Sequence, residues 1–116
     1  MTTTIFHNPR CSKSRQSLEL LENNGIKVQI VEYLKTPPDE VTLKSIVTGL
    51  GIDPRALLRK HEEEYKLAGL DNTELTDDEI IAAMIKYPKL IERPIVIHNG
   101  EVRIGRPPET VLELFK

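Results

Sequence analysis

Apolar and polar positions change their period several times along the chain, and each change marks an element. Thr3 to His7 is β-branched and aromatic; it predicts a short strand that ends at the Asn8-Pro9 turn signal. From Ser12 to Asn23 the spacing becomes helical. Leu18 and Leu21 lie three apart, Ser14 precedes Leu18 by four, and Asn24-Gly25 supplies a left-handed C-terminal stop. Lys27 to Tyr33 sets Val28, Ile30 and then Val31 among polar residues, which predicts a second strand. Strand, turn, helix and strand within about thirty residues is the shape of a right-handed crossover unit with parallel strands.

The middle of the chain reads as helical. Thr36 is expected to cap a helix with Pro37 and Pro38 in its first turn and Asp39-Glu40 at the positive end of its dipole. Its apolar positions are Val41, Leu43, Ile46, Val47 and Leu50, and Gly51 stops it. Asp53-Pro54 restarts a helix through Leu57 and Leu58. Thr76-Asp77-Asp78-Glu79 is a capping box with Ile80, Ile81 and Met84 as the buried stripe behind it, ended by Lys86-Tyr87-Pro88. Strands then return, because Ile95–His98 and Glu101–Ile104 flank Asn99-Gly100, the residue pair of a two-residue type I′ hairpin. Pro107-Pro108-Glu109 opens a last helix whose apolar face is Val111, Leu112, Leu114 and Phe115. The order β-α-β, helical block, β-β-α predicts an α/β protein: a thioredoxin-like (glutaredoxin-like) mixed sheet with a helical insertion. A single domain over residues 1–116 is expected, with no repeat or linker.

Composition narrows the function. The 116 residues are 39% hydrophobic and 29% charged, with 16 basic and 18 acidic side chains interleaved to a net charge of −2. That balance supplies no electrostatic reason for binding nucleic acid. No apolar run approaches the ~20 residues that span a bilayer. The stretch from Met1 to Phe6 lacks the basic start and long apolar core of a secretion signal, so a cytoplasmic location is expected.

One cysteine excludes an intrachain disulfide and a zinc site built from several cysteines. A lone cysteine is by default a small buried hydrophobe. Cys11, however, falls between the first strand and the first helix, where free backbone N–H groups and the helix dipole favour a thiolate. Arg10, Lys13 and Arg15 surround it in sequence and push the same way. The same N–H groups can hold an oxyanion. A dithiol oxidoreductase needs a second cysteine three residues on, where this chain has Ser14; a phosphatase-type loop needs arginine six residues on, where it has Ser17. Cys11 must therefore borrow an external thiol to be regenerated.

Arg59, Arg93 and Arg106 stand in telling contexts, the last two directly before prolines. In a thioredoxin-like fold the segment before the third strand packs beside the active-site cysteine, and its proline is commonly cis. Arginine grips tetrahedral oxyanions through its planar fork. Singly, each arginine reads as an ordinary surface residue; the cysteine context taken together with the family resemblance given below favours an oxyanion clamp. His7 ends the strand near Cys11 and either supports the thiolate or simply packs there. His61 and His98 lack partners at metal-ligand spacing and read as surface residues, and Glu62-Glu63-Glu64 reads as a solvated helix face.

Five segments, in order and nearly end to end, resemble the ArsC family: His7-Asn8-Pro9-Arg10-Cys11-Ser12-Lys13-Ser14-Arg15, Tyr33-Leu34-Lys35-Thr36-Pro37-Pro38, Arg55-Ala56-Leu57-Leu58-Arg59-Lys60, Glu92-Arg93-Pro94-Ile95-Val96 and Gly105-Arg106-Pro107-Pro108-Glu109. The resemblance implies a thioredoxin-like fold and reduction of arsenate to arsenite with glutathione as co-substrate and glutaredoxin as partner, with no bound cofactor or metal. It implies Cys11 as nucleophile, Arg59, Arg93 and Arg106 as oxyanion ligands, and His7, Asn8, Ser14 and Arg15 as the rest of the thiolate pocket. The chain is most similar to the family's chromosomal branch, with Arg10 and Ser12-Lys13 where other members carry a small residue and a Gly-Thr pair. Two alternatives stand beside this reading. One is a regulator of the same fold resembling the Spx family, against which Ser14 counts; the other is a glutathione-dependent thiol protein with another substrate. A monomer is the simpler expectation.

Overall fold

The computed structural model describes residues 2–116; Met1, which belongs to the expected domain and to the N-terminal stretch discussed above, lies outside them. The chain folds as two compact units, one formed by its start through Thr36 together with Arg93–Lys116, the other by Pro37–Glu92.

The first unit holds the sheet. Strands β1 (Thr3–Phe6), β2 (Val28–Val31), β3 (Ile95–His98) and β4 (Glu101–Ile104) lie in the order β2-β1-β3-β4. β1 runs parallel to β2, with Ile5 opposite Ile30, and antiparallel to β3, with Ile5 opposite Val96. β3 and β4 form the expected hairpin, and its turn places Asn99 at φ 52° and Gly100 at φ 80°, the two positive values that a type I′ turn requires. Helix α1 (Ser12–Asn23) is the crossover from β1 to β2. It stops as expected: Gly25 takes φ 73°, and the N–H groups of Gly25 and Ile26 donate to Glu22 and Leu21 at 3.0 Å each. Ile5, Leu21, Val96, Val111 and Leu114 form the core between this helix and the sheet, rimmed by Leu18, Ile26, Val28 and Phe115. Each such side chain fully buried contributes roughly 1.5–3 kcal/mol.

The last element differs from expectation. Pro108–Phe115 is a 3-10 helix rather than an α-helix, with the Thr110 N–H donating to Pro107 O at 3.0 Å. β-branched Thr110 and Val111 sit unfavourably in an α-helical turn, and the tighter winding still buries Val111 and Leu114. His98 also departs from the surface reading. Half-buried, its Nδ1 pairs with Thr3 Oγ1 at 2.8 Å, and its ring packs 4.5 Å from that of Phe115.

The second unit is helical. Thr36 does not cap α2 (Glu40–Leu50); Asp39 does, accepting the Thr42 N–H at 2.8 Å. Each proline disfavours the helical region for the residue before it, so Pro37-Pro38 keep the chain extended until Asp39. Leu43, Ile46 and Val47 are buried, whereas Val41 is 73% exposed, about 200° round the helix from Leu43. Asp53-Pro54 opens a 3-10 helix, Pro54–Leu57, that Leu58 leaves in extended form to bridge Ile91. Glu62-Glu63-Glu64 enters the short α3 (Glu63–Leu67), but only Glu63 is fully solvated: Glu62 pairs with Arg59 and one Glu64 carboxylate oxygen is buried. The Arg55 guanidinium ties the following loop by donating to the carbonyls of Leu70 and Asn72. α4 (Asp77–Lys86) has the full capping box, with Thr76 and Glu79 each accepting the other's backbone N–H, and buries Ile80, Ile81 and Met84. A 3-10 turn, Pro88–Leu90, follows. Among the described residues no helix is long and apolar enough to cross a membrane.

Candidate active site

Cys11 is the N-cap of α1, in an extended backbone conformation at φ −98° and ψ 123°. The turn before it is built locally: Asn8 Oδ1 accepts the Arg10 N–H, the Cys11 N–H donates to Asn8 O, and the Arg15 guanidinium donates to Pro9 O at 2.8 Å. Side chain and backbone of Asn8 thus fold the Asn-Pro turn back against the first turn of α1. The first turn of α1 contains no acidic residue.

Cys11 is only 8% exposed. Burial pushes its thiol up. The backbone N–H groups of Ser14 and Lys13 and the guanidinium groups of Arg93 and Arg106 pull it down, and the balance lies below the ordinary thiol value. The arginines foremost in this effect are therefore not those adjacent in sequence, as expected from Arg10, Lys13 and Arg15, but two brought in by the chain beyond residue 92. Arg106 places Nη2 3.9 Å from Cys11 Sγ while its Nε donates to Arg93 O at 2.9 Å. Both arginines precede cis prolines, Pro94 and Pro107. A thiolate so placed is a nucleophile with N–H and guanidinium donors beside it, the donor set that accepts a tetrahedral anion.

Behind the sulfur lies a buried polar pair. His7 Nδ1 and Ser14 Oγ share a hydrogen bond of 2.6 Å, its direction set by the imidazole tautomer, and Ser14 Oγ accepts the Asn8 N–H at 3.0 Å. Burial is the main reason the His7 imidazole lies below its ordinary value; Arg15 adds to the lowering, while Glu32 and Glu22 oppose it. His7, Asn8 and Ser14 are thus gathered at the base of the turn. Arg15 holds the turn from outside through Pro9. Arg59 belongs to the helical unit, where it pairs with Glu62 at 2.9 Å and its N–H donates to Leu90 O.

Two residues that pack behind the site were not read as part of it from the sequence. Gly105 packs directly on Ser17 of α1 and on Pro94, so close that a Cβ there would lie 2.3 Å from Ser17 Oγ and 2.7 Å from Pro94 Cγ. Ser17, fully buried, donates to Lys13 O at 2.9 Å. Their only signal is a glycine placed immediately before Arg106. Among the described residues no three His, Cys, Asp or Glu side chains are grouped to hold a metal ion.

A single thiol that opens the crossover helix of such a sheet defines a thioredoxin-like thiol protein. The chain belongs to the ArsC family, which it matches over residues 6–114. It is 50% identical over 111 residues to the uncharacterized protein YfgD of Escherichia coli K12, covering 95% of this chain and 93% of that one. It is 49% identical over 116 residues to a Haemophilus influenzae protein named arsenate reductase, covering 99% and 100%. The solved structure of an arsenate reductase from Vibrio cholerae superposes with a TM-score of 0.94 at 52% identity, over 98% of both chains.

Proposed function

We infer that this protein reduces arsenate to arsenite through the Cys11 thiolate, with glutathione and glutaredoxin as the thiol donors. The observation that carries this reading is the sulfur itself, set at the first turn of α1 with its thiol lowered and a guanidinium nitrogen 3.9 Å away. The activity named for its relatives, and the family resemblance, supply the substrate.

That geometry supports the following steps. The thiolate attacks arsenic, an As–S bond forms and an arsenate oxygen leaves as water after protonation. Arg93 and Arg106 offset the repulsion between two anions and hold the charge that develops on oxygen. A glutathione thiolate then attacks the Cys11 sulfur. An S–S bond forms as the S–As bond breaks, and the electron pair stays on arsenic, which passes from As(V) to As(III). Glutaredoxin exchanges with the mixed disulfide and returns Cys11 as a thiolate. With no second cysteine in the chain, no internal thiol competes for that step. For Arg59 the role of oxyanion ligand rests on the family resemblance alone.

The test is arsenite formation by the purified protein with glutathione, glutaredoxin, glutathione reductase and NADPH. Turnover is expected with the native chain and none with Cys11→Ser. Activity persisting in Cys11→Ser, or absent from the native protein, overturns the reading.

A further inference from the structure

We propose that Arg10 and Lys13 form a cationic rim that selects a carboxylate-bearing thiol as the second reactant at Cys11, an inference that rests on the thiol-dependent reading above. From His7 to Leu18 the chain has three basic side chains and no acidic one, although its net charge is −2. The first of three facts is that Arg15 is already committed, donating to Pro9 O. The second is that Arg10 and Lys13 are exposed and their side chains make no ion pair or hydrogen bond with any described residue. The third is that the guanidinium groups that lower the sulfur are Arg93 and Arg106. Two exposed cations thus flank the nucleophile in sequence, one residue before it and two after, without serving the turn. Exposed, unpaired charges next to a reactive residue act on whatever approaches it.

The substrate oxyanion is held inside, beside the sulfur. What approaches next is a thiol, which must reach the buried Cys11 past the rim. A thiol with carboxylates gains from both cations, a neutral thiol gains nothing, and a cationic thiol is repelled. The rim therefore sets which thiol enters rather than how strongly Cys11 is ionised.

Disulfide probes read this directly. Cys11 attacks a disulfide, forms one S–S bond as the other breaks, and the departing thiolate carries the electron pair. Rates with glutathione disulfide, hydroxyethyl disulfide and cystamine, each divided by its rate with free 2-mercaptoethanol thiolate, are expected to fall in that order. Arg10→Ala and Lys13→Ala should each lower the glutathione disulfide rate by about two- to threefold per nearby probe charge, for charges roughly 8 Å apart in watery surroundings. The cystamine rate should rise by a similar factor, with hydroxyethyl disulfide unchanged and the order flattened in high salt. If the three rates shift together, or the spread between them is as wide in the double variant as in the native protein, the rim is refuted. None of these measurements involves arsenate. Arsenate turnover without charge discrimination removes the rim alone; charge discrimination dependent on Arg10 and Lys13 without arsenate turnover supports the rim and removes the proposed substrate.

Discussion

Gly105→Ala puts the packing behind the site under the most direct test. A Cβ at this position falls 2.3 Å from Ser17 Oγ, 2.7 Å from Pro94 Cγ and 3.2 Å from Ser17 Cβ, where ordinary contacts begin near 3.4 Å. The proline ring is rigid, and the serine hydroxyl is fully buried and engaged with Lys13 O, so neither can simply swing away. Gly105 does not have a positive φ. In open space the alanine would therefore stabilise by about 0.4–1 kcal/mol through a less flexible unfolded chain. Overpacking of this kind costs about 1–3 kcal/mol, and displacing the Ser17 hydroxyl from its partner adds roughly 1 kcal/mol. The net expectation is a loss of about 2 kcal/mol, or roughly 6–10 °C in Tm for a chain of this size. Urea unfolding followed by circular dichroism measures it. The damage should also reach the chemistry, because Arg106 is the next residue and its guanidinium reaches Cys11. The pH profile of alkylation should move up with the thiol. Adding Ser17→Ala removes the shortest contact and should recover part of the stability, a coupling that a double-mutant cycle reads. Unfolding at or above the native midpoint, with an unchanged alkylation profile, would refute the packing argument.

The remaining predictions concern charge and capping. Arg106→Ala removes one of the two guanidinium groups that favour the Cys11 thiolate, so the rise of iodoacetamide alkylation with pH should shift to higher pH; a superimposable profile refutes the assignment. The sign carries into stability. Between the lowered thiol value and the ordinary one the unfolded chain binds more protons than the folded chain, so this contribution is present above the window and lost as pH falls through it. Arg106→Ala should flatten that slope relative to the native protein. Thr76→Ala removes the N-cap of α4 and half of its capping box, at an expected cost of about 1 kcal/mol in urea unfolding; an unshifted midpoint would count against it.

What was legible in the sequence follows the range of the interaction involved. Asn99-Gly100, Asn24-Gly25 and the Thr76 capping box act over two to five residues, and all three stand where the sequence put them. The cap at Asp39 was displaced from Thr36 because two adjacent prolines constrain the residues before them, a short-range rule outweighed by an attractive Thr-Pro signal. Val41 was drawn into the buried stripe by its character alone, although its spacing from Leu43 already set it on another face. At the site, Cys11 is legible from its place between β1 and α1, whereas Asn8 and Ser14 were pointed to by the family resemblance alone. The lowering of Cys11 by Arg93 and Arg106 depends on pairings between β1 and β3 across ninety residues, which local patterns do not encode; the prolines after them, the expected fold and the family resemblance pointed to those arginines. The packing of Gly105 on Ser17 is a matter of tenths of an ångström between distant segments, and no residue pattern announces it.

The sheet unit is split in sequence: its first two strands precede residues 37–92 and its last two follow them. A ribosome therefore releases Cys11 and the β1–α1–β2 opening well before Arg93 and Arg106 have been synthesised. A nascent chain carries its sulfur without the guanidinium groups that sharpen it, and full nucleophilicity arrives only when the closing hairpin docks. Translation order thus delays the reactive form until the last two strands have been made.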